Sequence, residues 1–184
     1  MNPVYIIVIV VVVLLAAGIA MGAVFSRRQR AKRYEKKYGA DYDATVKTMG
    51  DEKKAQTEMD SRMEHVGTLN IRPLTMGERE GYLANWKAVQ TKFIDEPAQA
   101  TVEASHLITK VMQTRNYPIS DFEQRAADVS INYPDLVTNY RAAREIAVKN
   151  ERHEASTEEL RKALVYYRSL FDELLAPEAV VENK

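Results

Sequence analysis

STEELRKALVYYRSLFDELL, running from Ser156 to Leu175, is written as one amphipathic helix. Leu160, Ala163, Leu164, Tyr167, Leu170, Phe171, Leu174 and Leu175 recur at steps of three and four, the period of one helix face, and charged residues fill the other face. Ser156 and Glu159 stand in capping-box register, so each satisfies an N–H group at the helix start. Pro177 closes the segment. The same grammar repeats upstream. Thr75-x-x-Glu78 opens a helix striped by Tyr82, Trp86, Val89 and Phe93, and Ser120-x-x-Glu123 opens a shorter one with Phe122, Ala126 and Val129. Pro97 suits the first turn of a helix through Ala104, Leu107, Ile108, Val111 and Met112; Pro134 does the same for Leu136, Tyr140, Ala143 and Ala147. No stretch has a period of two. The expected fold is all-α, with a bundle of about five helices over residues 75–176 and a flexible tail over 177–184.

Before the bundle, residues 38–74 read as an amphipathic helical stalk or as an extra helix packed on it. Tyr42, Val46, Met49, Met59, Met63 and Val66 keep helical spacing, with Asp41 or Asp43 as cap. Gly50 and the charged run Asp51–Lys54 leave one long helix or two as open readings. Gly67 ends the segment. Leu69 to Leu74 is an extended connection, because Pro73 forces Arg72 out of the helical region.

The N-terminus has a different character. Val4 to Phe25, VYIIVIVVVVLLAAGIAMGAVF, contains no ionisable group but Tyr5, and as a helix it reaches roughly 33 Å, the thickness of a hydrocarbon core. Residues 1–26 are therefore expected to be a single transmembrane anchor. The alternative is a signal peptide cut near Gly18/Ala20 and export of the remainder, but the basic leading region of such a signal is missing and the apolar run is too long. Residues 27–37 form a basic juxtamembrane segment: Arg27, Arg28, Arg30, Lys32, Arg33, Lys36 and Lys37 stand against Glu35. The chain as a whole is neutral, so residues 38–184 are net acidic. The positive-inside rule places the C-terminal domain in the cytoplasm and the N-terminus outside. The same basic residues suit anionic headgroups, whereas the acidic remainder argues against nucleic acid. Gly18 and Gly22 form a GxxxG, a face on which two such helices can dimerise.

Chemistry is sparse. The 184 residues include no cysteine, which excludes disulfides, thiolate metal sites and a cysteine nucleophile. GxGxxG, P-loop, GxSxG and HExxH patterns are all missing. His65, His106 and His153 fall on separate elements, and Glu103-x-x-His106 is half of a di-metal pattern with no second half. No catalytic residue, metal or cofactor is expected. Asn116–Tyr117–Pro118 and Asn132–Tyr133–Pro134 repeat a tripeptide, read as helix punctuation with the Tyr rings over the bundle end, against a pair of recognition corners. Asp121, Glu123, Arg125 and Asp128 alternate in charge as a solvated face would.

WKAVQTKFIDEP from Trp86 to Pro97, FEQRAAD from Phe122 to Asp128, TEELR from Thr157 to Arg161 and YRSLF from Tyr167 to Phe171 resemble an uncharacterised bacterial group of small single-span proteins with helical cytoplasmic or secreted portions. The resemblance covers about residues 70–175. It implies a helical domain behind a bacterial membrane anchor and carries no activity or ligand residue with it. The expected function is a membrane-tethered, non-enzymatic protein-interaction module whose partners are the lipid bilayer, another protein and, through the anchor, a second copy. A small-ligand or lipid pocket among Trp86, Tyr140 and Tyr167 is the alternative.

Overall fold

The structure, a computed structural model, describes residues 3–118 and 121–177; the side chains of residues 3–17, 19, 20, 23, 24 and 27 also lie outside the description. The described residues form seven helices and no strand. These are α1 (Pro3–Met49), α2 (Glu52–Thr68), α3 (Met76–Lys92), α4 (Pro97–Thr114), α5 (Phe122–Asn132), α6 (Pro134–Glu151) and α7 (Thr157–Leu175). The all-α expectation holds, and residues 75–176 contain five helices. The chain divides into two compact units, Met1–Gln56 and Thr57–Lys184. The boundary falls within α2, whose residues from Thr57 onward are part of the second unit.

In the first unit, α1 bends at Gly39, whose φ of 49° and ψ of −128° no side chain tolerates comfortably. Gly50, at φ 67°, separates α1 from α2, so the two-helix reading is the correct one. The helix resumes directly after Gly39, and Asp41 is buried just beyond the bend. Tyr38 and Tyr42 are buried, and Tyr34 stacks on Tyr42 with ring centroids 5.6 Å apart. The expected apolar stripe is only partly internal. Tyr42, Met59 and Val66 are buried, but Met49, beside the break, and Met63 are exposed.

In the second unit, α7 lies against α6 and α4, α3 packs on α4, and α5 packs on α6. The core draws on every one of these helices and contains Trp86, Ile108, Val111, Met112, Val129, Val137, Tyr167, Leu170 and Phe171. Each such side chain contributes about 1.5–3 kcal/mol when fully buried, which is why the three-and-four spacing dominates local detail. Both Thr75/Glu78 and Ser156/Glu159 close reciprocal capping boxes. The third differs. Asp121 is the cap of α5, accepting from the Gln124 N–H at 2.9 Å, and Ser120 lies outside the described residues.

Two helices end in the same way. After α4, Asn116 adopts φ 69°, its N–H reaches Gln113 O, and Tyr117 N–H reaches Met112 O at 2.9 Å. After α6, His153 adopts φ 59°, with His153 N–H on Asn150 O and Glu154 N–H on Lys149 O. This paired closure satisfies the last carbonyls of each helix, and Pro118 then prevents continuation.

Among the described residues no helix is long and apolar enough to cross a membrane. Most side chains of the apolar run Val4–Phe25 fall outside that description, as do residues 178–184 of the tail.

Candidate functional site

The two Asn-Tyr-Pro corners meet. Tyr117 turns into the bundle after α4 and is 3% exposed, and its hydroxyl accepts from Asn132 Nδ2, at the end of α5, at 3.1 Å. Arg115, one residue before the first tripeptide, donates through Nη1 to the Tyr133 hydroxyl at 2.7 Å. The same guanidinium donates to Leu174 O at 3.1 Å and to Arg72 O at 3.1 Å, and Arg72 N–H returns to Arg115 O at 3.0 Å. Asn116 Nδ2 holds Asn70 O at 2.8 Å. The 69–75 connection, the ends of α4, α5 and α7, and both tripeptides are therefore joined around one buried arginine. Burial pushes the Tyr117 hydroxyl up to about 12 despite the bond from Asn132. The repeat is punctuation, and each copy also braces the other. Arg115 gave no sequence signal, since nothing in its spacing separates it from an exposed helix-end arginine.

A second polar contact reaches into the unit. Asp128 is fully buried, which corrects the expectation of a solvated charged face at that position, whereas Asp121 and Glu123 are exposed as expected. Its Oδ1 accepts from Gln124 Nε2 at 2.9 Å and lies 3.6 Å from His65 Nε2; its Oδ2 has no hydrogen-bond partner. Ala126, Val129 and Ser130 are buried as well, so α5 is enclosed on more than one side here and the carboxylate is carried inward regardless of its charge.

The remaining candidates are dispersed. His106 is exposed, Glu103 is engaged by Lys92 Nζ at 2.6 Å, and His153 is a helix-closing residue. The ion pair with Lys92 holds the Glu103 carboxyl below its ordinary range. Among the described residues, no group of three or more His, Asp or Glu is placed to hold a metal ion. Trp86 lies face to face with Phe171 at 4.6 Å, and Tyr140 meets Tyr167 edge-on at 6.3 Å. Each of these four rings is at most 3% exposed. Arg168 completes the group, with its guanidinium 5.5 Å from the Trp86 ring and its Nε on Asp172 at 2.7 Å.

On α1 the described basic side chains Arg28, Arg30, Lys32, Arg33, Lys36 and Lys37 are all exposed, and Lys37 lies over the Tyr38 ring at 4.9 Å. The side chain of Arg27 is outside the description. Gly18 and Gly22 are exposed, with nothing within 4 Å of the position a Cβ would take. Exposed apolar side chains also mark α3: Met76 and Leu83 stand two turns apart, and Ile94 follows the helix end. No protein-family model matches this chain, and neither a curated protein nor a solved structure was found to be similar to it.

Proposed function

We propose that this chain is a membrane-tethered, non-enzymatic protein-interaction module of a bacterial cell. In this reading Val4–Phe25 is the anchor, the N-terminus is outside, and the helical unit is held at the cytoplasmic face. One observation carries the proposal: 22 residues without a formal charge directly abut a block of seven Lys/Arg. The helical backbone of α1 from Pro3 through the basic block and the exposure of the described basic side chains support it. Anchoring raises the local concentration of the bundle for membrane neighbours, so modest contacts are enough for occupancy. Met76, Leu83 and Ile94 are the apolar groups offered to such a partner, and Gly18/Gly22 is the face offered to a second copy. The tight packing of Trp86, Tyr140 and Tyr167 favours this reading over a small-ligand pocket among those rings.

The test is made on the full chain expressed in a bacterium. The protein is expected to stay with the membrane pellet after alkaline washing, and a reporter fused after Lys184 is expected to be active only on the cytoplasmic side. Release of a shortened chain lacking about the first two dozen residues, as signal cleavage requires, overturns it.

A further inference from the structure

We propose that His65 and Asp128 form a proton-operated latch that fastens the second half of α2 to α5. The argument is geometric. Asp128 is fully buried while the His65 side chain is 43% exposed, so a buried carboxylate faces a base that water can protonate. Their nearest atoms are 3.6 Å apart, too far for a good neutral hydrogen bond and close enough for a strong interaction once the imidazole is charged. Gln124 satisfies only Oδ1, so the carboxylate retains an acceptor, Oδ2, with no hydrogen bond. A buried carboxylate in that condition gains from a neighbouring cation, and the latch supplies one only when His65 holds a proton.

Among the described residues around Asp128, the other charged groups include no second histidine. Arg62 on α2 acts on it as a second cation and also holds Glu58 Oε1 at 2.8 Å. Tyr117, after α4, has its hydroxyl pushed far above neutral pH. The depression beside Gln124 is lined by Glu58 and Arg62 of α2, Asp121 and Glu123 at the start of α5, and Arg141 of α6, none of which is a histidine. Burial raises the Asp128 carboxyl, with the Gln124 bond and the His65 and Arg62 charges opposing that rise. The latch is therefore closed when His65 holds a proton beside the charged Asp128 carboxylate, and it opens when rising pH removes that proton.

The experiment is hydrogen exchange on the full-length protein in detergent micelles, with amide protection corrected for the intrinsic exchange rate. From pH 6 to pH 8, protection across Thr57–Thr68 is expected to fall about three-fold or more, the scale of a partly exposed ion pair. Protection of α7 should not follow it. His65→Gln is expected to show the lower protection at both pH values, and Asp128→Asn to remove the pH dependence. His65 is half-exposed, so H65Q retains the core and remains decisive if D128N does not fold. Equal protection of wild-type α2 at the two pH values, a fall that persists in H65Q, or a parallel fall in α7 each overturns the latch.

Discussion

The Arg115 guanidinium donates to the Tyr133 hydroxyl at 2.7 Å and so ties the end of α4 to the hinge between α5 and α6. Its further bonds to Leu174 O and Arg72 O make one side chain the meeting point of four chain segments. Arg115 is 3% exposed, so its removal takes the donor from the Tyr133 hydroxyl and from the carbonyl oxygens of Leu174 and Arg72, the Leu174 bond being fully buried. Arg115→Ala is expected to destabilise the helical unit by about 3–5 kcal/mol, the range for breaking a buried charged network. Tyr133→Phe, which removes one acceptor and leaves the carbonyls bonded, should cost about 1–2 kcal/mol. Urea unfolding followed by circular dichroism measures both, and equal losses in the two variants would contradict this hierarchy.

Trp86 and Phe171 are coupled beyond their shared burial. Their rings stack at 4.6 Å, and Arg168 lies 5.5 Å from one and 5.8 Å from the other. Phe171→Leu keeps most of the volume and is expected to cost about 1–2 kcal/mol, whereas Trp86→Ala opens a large cavity at about 3–5 kcal/mol. A double-mutant cycle of Trp86→Leu with Phe171→Leu should return a coupling of about 0.5–1.5 kcal/mol. Additive losses would show that the stacking contributes nothing of its own.

Much of the bundle was legible because its helices are written in redundant signals. Leu160 through Leu175 repeats one face for more than four turns, and Ser156/Glu159 and Thr75/Glu78 state where two helices begin. Weak signals misled where two neighbours compete for one role. Ser120 and Asp121 both suit a cap, and the structure uses Asp121. Val137 is fully buried although the stripe through Leu136 and Tyr140 did not need it. The polar centre was not legible at all. Arg115 and Asp128 are buried by the position of the backbone, and their partners lie at sequence separations from 4 to 63 residues, at Gln124 and His65 for Asp128 and at Arg72, Tyr133 and Leu174 for Arg115. Composition and periodicity report which residues prefer water, and these residues overrule that preference through specific bonds.

The bend in α1 is a backbone requirement at one residue. Gly39 combines φ 49° with ψ −128°, a region that L side chains avoid, and open space surrounds the site where a Cβ would stand. Gly39→Ala therefore meets a conformational penalty of about 1–3 kcal/mol without any clash. The expected response is a straighter helix through residue 39. Spin labels placed at exposed Lys36 and Asp43, on either side of the bend, should report a changed separation in the variant. An unchanged distance distribution would show that the bend is imposed by something other than this glycine.

Acid should unfasten two helix starts together. The Arg72 guanidinium, with the Thr75 N–H, holds the Glu78 carboxyl down to about 2; Lys149, with the Ser156 N–H and hydroxyl, does the same for Glu159. Both carboxyls would titrate near 4.5 in the unfolded chain. Between 4.5 and 2 the unfolded chain takes up protons that the folded one does not, so unfolding becomes easier as pH falls. The contribution of both boxes is thus complete above pH 4.5 and is lost as pH approaches 2. Glu78→Gln and Glu159→Gln keep a capping side chain but remove the charge. The double variant is expected to unfold at lower urea than wild type at pH 7 and to approach wild type as pH falls toward 2. Urea midpoints measured from pH 2 to 7 test this directly, and two parallel curves, separated by the same amount throughout, would place the acid sensitivity elsewhere.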